Sequence, residues 1–561
     1  MSLEGDTIVF ENSVRNNSEP ILFNEKKYNF ITDSTSNGGQ FQSGQINFDL
    51  STFSSQNYLS LAEGVIEVPL KITAKLTTIA GGTPGNTACG IFTAITKNGF
   101  HQWINSAQLI INGQTIQSQQ PYENVSASYR ILKNWSQDTL NKWGKACGFA
   151  LDDCTGSSDS TSTYANDSGL NNVAYLTVAN SVRGLDTTNY QTVLYNKGTV
   201  DRATLINSNA VSTTVPGAIL GTNGIKNAGK ANVAVSASSN SPNAVLYSQF
   251  IMATIRVRDL FDISEFPLCK NLKGFMYLNF NSTQVQLTGN AGGTDVATVV
   301  TTPLTGSSCP FTVTINDTVG INFGAGSTTQ PVVTIVGTVD GSSTDAVGSS
   351  GPLLSNARLV MPYYEANPNT DSALSKVQSF KTLEKIVNPF TMSAGEVKNF
   401  TITVGVSNPT KLVLLPMWQN LGGATNLANP EQSVFDQTPA TSGVFAKLDN
   451  IQVYVANKPL FQYPIQYDYE HWIMNAVQEG ANAGLVDEMT SSLLSSQLWE
   501  QNHRYYVFDL QRRLKSDDGM SRSVQISCTN PSSTFGMKVI AILFYEKNWE
   551  MNTATCTIQS A

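Results

Sequence analysis

"IQVYVANKPLFQYPIQYDYEHWIMN", residues 451–475, reads as a strand, a turn centred on Ala456-Asn457-Lys458-Pro459, an aromatic stretch and the start of a helix. A looser version stands in the first quarter of the chain: "AQLIINGQTIQSQQPYENVSASYRILKNW", residues 107–135. There Leu109-Ile110-Ile111 run into an Asn112-Gly113 turn. A Pro121-Tyr122 pair follows, and a helical patch ends at Trp135. Asn, Gly and Pro at these offsets are residues that tight turns select. A chain that writes one strand–turn–aromatic–helix phrase twice predicts two related modules in tandem.

Working outward from the two phrases, the surrounding text is β. Period-2 alternation places Ile66, Val68, Leu70, Ile72, Ala74 and Leu76 on one face, with Glu67, Lys71, Thr73 and Lys75 on the other. Pro69 cannot donate to a ladder, so that strand is expected at a sheet edge or a bulge. The same rhythm recurs in Ile46–Leu50, Met276–Phe280, Phe400–Val406, Ile451–Val455 and Val524–Cys528. One apolar and one polar face per strand is the mark of antiparallel sandwich strands. Helices are few. One is predicted over Tyr129–Trp143 from Leu132, Trp135, Leu140 and Trp143, and a second over Tyr469–Glu479. Leu374–Val387 stays open between helix and strand. Two long Gly/Ser/Thr/Asn-rich insertions, about 154–243 and 282–350, are expected to be decorated surface loops extending from one end of a sandwich. The fold class is therefore all-β. The expected division is an N-terminal arm at 1–36, a first module at 37–365 carrying both insertions, and a second module at 366–561.

Composition narrows the function. Of 561 residues 14% are charged and 40% hydrophobic, too few charges for arrays of exposed helices. A net charge of −8 and the absence of a basic arm argue against sequence-independent nucleic-acid binding. The longest apolar run, Val539–Tyr545, is far short of the roughly twenty residues a membrane span needs, and "MSLEGDTIVFENSVRNN" holds no apolar core of signal-peptide length. The seven cysteines, at 89, 147, 154, 269, 309, 528 and 556, include no Cys-x-x-Cys. They read as reduced thiols of a protein made inside a cell, the alternative being one bridge such as Cys147–Cys154.

Histidine-based catalytic or metal chemistry would fall to His101, His471 and His503, the whole stock of histidines. None has a partner at metal-ligand spacing except Glu470 beside His471, and neighbouring residues do not chelate well. No Gly-x-Ser-x-Gly elbow supports a serine nucleophile. "GIKNAGKA", residues 224–231, follows the P-loop pattern for seven positions. It then places Ala231 where Mg²⁺ needs a hydroxyl, and strand-like text where a helix is needed. Asn-x-Ser/Thr triplets begin at Asn16, Asn124, Asn134, Asn166, Asn281, Asn316 and Asn399, as Asn- and Ser-rich text produces by chance. Arg512, Arg513 and Lys515, set among acids in Asp509–Asp518, read as a solvated turn or as an inner-surface anchor. No catalytic, cofactor or metal residue is assigned.

Five segments carry a resemblance. These are Asn37–Ile72, Asn98–Ser136, Ile255–Asn281 ("IRVRDLFDISEFPLCKNLKGFMYLNFN"), Ala357–Pro368 ("ARLVMPYYEANP") and Leu498–Asn548. In that order they resemble the double jelly-roll major capsid proteins of polinton-like viruses and their virophage relatives. The resemblance implies two tandem eight-stranded jelly rolls and no enzymatic activity or cofactor. It implies a homotrimer whose six rolls make a pseudo-hexameric capsomer, with insertions between strands forming outward towers. Such capsomers tile an icosahedral shell around a double-stranded DNA genome, with penton and minor capsid proteins as further partners. The chain would then reside in the virion after assembly in the host cell. A glycan-binding β-sandwich attachment protein is the alternative, and a jelly-roll hydrolase a third.

Overall fold

The computed structural model describes residues 22–35, 40–41, 44–53, 57–78, 92–152, 226–227, 244–289, 296–315, 332–342, 354–368, 371–407, 409–419, 446–477, 492–501, 503–510, 522–533 and 536–560. The first sandwich is made of β1 (Phe23–Thr32), β2 (Gln45–Asp49), β3 (Val65–Thr78), β4 (Ile104–Ile111), β5 (Gln114–Gln117), β6 (Ala244–Arg256), β7 (Gly274–Phe280) and β8 (Arg358–Ala366). Its two antiparallel sheets run β1-β8-β3-β6 and β2-β7-β4-β5. The second is made of β9 (Val377–Met392), β10 (Val397–Val406), β11 (Pro409–Gln419), β12 (Asp449–Val455), β13 (Lys458–Pro459), β14 (Tyr506–Asp509), β15 (Arg522–Thr529) and β16 (Gly536–Asn552). Its sheets run β9-β16-β11-β14 and β10-β15-β12-β13. Counting strands from one to eight in each half, both read 1-8-3-6 and 2-7-4-5. Eight strands in two such sheets make a jelly roll, and the chain holds two complete ones.

The repeated phrase is the same corner of each roll. Strands four and five meet at a hairpin whose two central residues both have positive φ: Asn112 (49°) and Gly113 (79°) in the first roll, Ala456 (49°) and Asn457 (64°) in the second. That backbone matches the right-handed twist of the strands it joins. In both rolls the chain then turns helical before strand six. The first corner holds α1 (Glu123–Asn134) and α2 (Gln137–Trp143). A single helix from Tyr129 is thus corrected to two, the first beginning six residues earlier. They break because Trp135 is extended and Ser136 caps α2, its hydroxyl accepting from Thr139 N–H at 3.2 Å. The second corner holds a helix at Tyr469–Trp472 that widens to π geometry over Ile473–Val477. Residues 478–479 lie outside the described residues.

Three further expectations change. Residues 1–36 were expected to form an arm, but Phe23–Thr32 is strand one of the first roll, paired along β8 from Phe23↔Ala366 to Thr32↔Arg358. The run Glu25-Lys26-Lys27 hides its alternation, and only Ile31 on its inner face is buried. Pro69 lies on neither an outer edge nor a bulge. β3 is interior, and Pro69 sits at a break on one flank, where β8 ends opposite Glu67 and an inserted strand begins opposite Leu70. Leu374–Val387 resolves as the first half of β9 after a short turn of helix at Asp371–Leu374.

The 282–350 insertion is a ladder in its described parts, not loops. Ser282–Gly289 pairs with Val296–Thr305 and with Val332–Val339, which continues the sheet beside β3. Phe311–Ile315 pairs with Phe92–Thr96. Of the 154–243 insertion only Lys226–Asn227 is described, paired with Ile251–Met252 of β6.

Candidate functional site

The histidines come first. His101 is buried, its Nε2 2.7 Å from the Ser128 hydroxyl, which also accepts from Gln102 Nε2 at 2.9 Å. A hydroxyl and an imidazole in contact are two parts of a nucleophilic site. Here both are sealed inside α1 and its supporting turn, and Asn124 Nδ2 closes the network on Gln102 Oε1 at 3.1 Å. His503 Nε2 donates to the Asp152 carbonyl at 3.2 Å, also buried. His471 closes a helix cap, its Nδ1 2.6 Å from Asp468 Oδ1. Each of the three is held by hydrogen bonds of its own surroundings, and the structure brings none of them together. Among the described residues no group of three His, Cys, Asp or Glu could hold a metal, and no helix is long and apolar enough to cross a membrane. The P-loop look-alike is described only at Lys226–Asn227, in a strand. Arg512, Arg513 and Lys515 lie outside the described residues, as do Cys89, Cys154, Asn16, Asn166 and Asn316. Cys147, Cys269, Cys309, Cys528 and Cys556 are buried free thiols.

The concentrated polar chemistry lies where the two rolls meet. β9 is the outermost strand of its sheet, so every second N–H points away from the ladder, a liability that sheets must cover. The first roll covers it with side-chain acceptors. Lys381 N–H donates to Glu265 Oε2 (3.4 Å), Leu383 N–H to Asp262 Oδ2 (2.8 Å) and Val387 N–H to Gln120 Oε1 (3.4 Å). The second roll reciprocates, with Glu384 Oε1 accepting from Ser118 N–H at 2.9 Å. Inside this seam Lys385 and Glu123 are fully buried and in direct contact, and Gln117 Nε2 adds a bond to the same carboxylate at 3.2 Å. Burial drives the Lys385 ammonium down to about 7 against the pull of Glu123. Burial also pushes Glu384 up, but Lys547, Ser118 N–H and the Tyr545 hydroxyl (2.5 Å) outweigh it and hold the carboxyl below its ordinary range.

Apolar packing crosses the seam in both directions. α1 lies over the outer face of the second roll's β9-β16-β11-β14 sheet. Tyr129 meets Tyr505 at 5.6 Å and Phe544 at 6.2 Å, and Tyr122, Val125, Leu132 and Trp135 share one buried cluster with Val387, Val413 and Ile542. This is why Val539–Phe544 is buried on both faces. In return, the ends of β9 and β16 project past their own roll. Phe380, Trp549 and Met551 join the first roll's cluster, with Phe380 packing edge-on against Phe266 at 5.3 Å. Lys270 Nζ binds Asp371 at 2.6 Å, and Lys270 N–H donates to the Thr553 carbonyl at 2.8 Å. Sequence reading missed this seam. Its one signal was the doubly apolar run at Val539–Tyr545.

No family model matches the chain, and no curated protein matches it by sequence. Solved structures with a similar course include a chain of the Sputnik virophage structure solved by cryo-EM (13% identity, TM-score 0.41, covering 96% of this chain and 89% of that one). The mavirus major capsid protein is similar at 10% identity and TM-score 0.44, over 95% of this chain and 90% of that one. The Faustovirus major capsid protein is similar at 10% and 0.42, over 95% and 92%.

Proposed function

We propose that this chain is the structural unit of a protein shell: a double jelly-roll major capsid protein that assembles as a homotrimeric, pseudo-hexameric capsomer of an icosahedral DNA-virus particle. One observation carries the reading. A single chain holds two complete jelly rolls in tandem, fused through a seam in which each covers the other's open edge or face. The five sequence segments that resemble the polinton-like and virophage capsid proteins supply the specific shell. A rigid two-roll block with no organised catalytic constellation among its described residues suits a part whose work is to abut copies of itself. In this reading the chain performs no reaction. Its partners are other copies, then penton and minor capsid proteins, and it resides in the virion after assembly in the host cell. An acidic chain leaves contact with the genome to counter-ions or other proteins.

Light scattering and negative-stain microscopy of the purified protein test this. The expected particle is a trimer of about 180 kDa, three times the 60.5 kDa chain, with a hexagonal outline. A monodisperse monomer at high concentration would sink the proposal. Selective glycan binding by a non-assembling protein would replace it with the attachment-protein alternative.

A further inference from the structure

The seam brings two cysteines together, one from each roll. Cys269 belongs to the first, in the segment leading into β7, where its carbonyl accepts from Leu59 N–H at 2.9 Å. Cys556 belongs to the second. It ends the turn Thr553–Cys556, which joins β16 to a last short strand, Thr557–Ser560, folded back on Trp549–Asn552. The turn is held from both sides. Cys556 N–H donates to the Asn552 carbonyl at 2.8 Å. Across the seam, Lys270 N–H donates to the Thr553 carbonyl at 2.8 Å and Asn271 Nδ2 to the Ala554 carbonyl at 3.1 Å. Between these backbone ties the two thiols meet in a hydrogen bond, Cys269 donating to Cys556, both buried in the first roll's apolar cluster.

Two features mark the pair as more than packing. Cys556 stands at φ 57°, a left-handed position that Gly or Asn adopts readily and other residues rarely do. What that strained position secures is a sulfur against Cys269. Cys556 is also buried between two exposed neighbours, Thr555 and Thr557, so its sulfur lies just beneath the surface of a short turn. Hydrogen bonds from Cys269 and from Lys273 N–H hold its thiol below the ordinary range in spite of burial, whereas the Cys269 thiol is pushed up. Cys556 is therefore the sulfur that reacts first.

We propose that Cys269 and Cys556 form a latent disulfide, closed by hydrogen peroxide, that locks the second roll's last turn onto the first roll. The Cys556 sulfur attacks one peroxide oxygen and the O–O bond breaks. The other oxygen leaves as water with the thiol proton, and Cys556 becomes a sulfenic acid. The Cys269 sulfur then attacks the sulfenic sulfur, the S–O bond breaks, and the hydroxyl leaves as water with the Cys269 proton. Two thiols are oxidised to one disulfide and one peroxide is reduced to two waters. The bridge joins residues 287 positions apart, lies within one chain and needs no second copy. In a reducing cell it stays open.

The test uses the full chain, purified reduced, treated with hydrogen peroxide at neutral pH, alkylated, and digested with trypsin without reductant. The main disulfide is expected to link the peptides Asp259–Lys270 and Asn548–Ala561. Oxidation should raise the urea midpoint, and dithiothreitol should return it. The same chain oxidised while unfolded in urea should give this link at least tenfold less. In Cys269→Ala the sulfenic acid has no resolving thiol, so dimedone should label Cys556 at least tenfold more than in the wild type. The wild-type peptide map decides without any variant. Cys269 and Cys556 found alkylated, separately oxidised to sulfinic acids, or bridged to other cysteines overturns the proposal, whether or not the chain forms trimers. A link that leaves the urea midpoint unmoved overturns the lock.

Discussion

At the scale of single residues, the structure separates side chains that look alike in sequence. Asn281 and Asn124 each begin an Asn-x-Ser/Thr triplet, and both are buried in hydrogen bonds. Asn281 Nδ2 donates to the Gln102 carbonyl at 3.0 Å, and its Oδ1 accepts from Ser307 and Ser308 N–H at 3.1 and 3.3 Å. Made in a glycosylating cell, the protein is expected to carry no glycan at either position, a result that peptide mass mapping reads directly. Gly306 closes the same turn at φ 77°, and a Cβ there would lie 2.1 Å from Asn281 Oδ1. Gly306→Ala should therefore lower stability by more than about 1 kcal/mol, through an unfavourable backbone and a displaced acceptor, visible as a lower urea midpoint with unchanged slope. Burial also raises the Cys147, Cys309 and Cys528 thiols, the last to about 12. A thiol held protonated is a poor nucleophile, so these three should resist iodoacetamide at pH 8 until the chain is unfolded, as read peptide by peptide.

At the scale of elements, β9 is the strand that matters most, and Lys385 is its most exacting residue. Lys385→Met removes the nearer of the two cations on the buried Glu123 carboxylate and leaves Arg130 Nη1 at 3.6 Å, and removing one partner of a buried pair costs about 3 kcal/mol. Adding Glu123→Leu should recover most of that loss, since Arg130 keeps its bonds to the Asp259 and Leu260 carbonyls. Thermal melts of the single and double variants decide this. The sign of the pH effect follows from the same group. A base whose folded value is about 7 and whose ordinary value is 10.5 binds fewer protons in the folded state between those limits. Its contribution to stability therefore rises with pH across that window, in a field set by Glu123, Arg130 and Asp262. Lys385→Met should flatten that rise. Little of this was legible in the sequence, and the reason is physical. Val377, Phe380 and Leu383 mimic helical spacing because the first half of β9 is a ribbon lying against the other roll, so apolar residues do not alternate simply. Strands with one solvent face, such as Met276–Phe280 and Val524–Cys528, alternate cleanly and were read correctly. The two-residue β13 is too short for any period to register. The repeated corner was legible because Asn-Gly and Ala-Asn turns are local, while the edge cover by Asp262, Glu265 and Gln120 depends on side chains remote in sequence.

At the scale of the whole molecule, the seam makes the second roll dependent on the first. Val387, Val413, Ile542 and Phe544 form the outer face of its larger sheet, and all are buried in one cluster with Tyr122, Val125, Tyr129, Leu132 and Trp135 of the first roll's helical corner. A face of four large apolar side chains in one patch is a surface that associates or precipitates when bared. The first roll loses less on separation: the projecting β9 and β16 ends bring it Phe380, Trp549 and Met551, while most of its cluster comes from its own strands. Expressed apart, residues 367–561 are expected to elute as aggregates and to bind an apolar dye, whereas residues 1–366 remain largely soluble. Co-expression of the two pieces should restore a one-to-one complex, because the ladder-edge bonds at Lys381, Leu383 and Val387 and the Lys385–Glu123 pair need no covalent linker. Size-exclusion chromatography with light scattering measures both outcomes. A second roll that runs alone as a dye-silent monomer would mean that α1 covers a face able to stand in water, and the seam would then be a contact between finished domains, not part of a shared core.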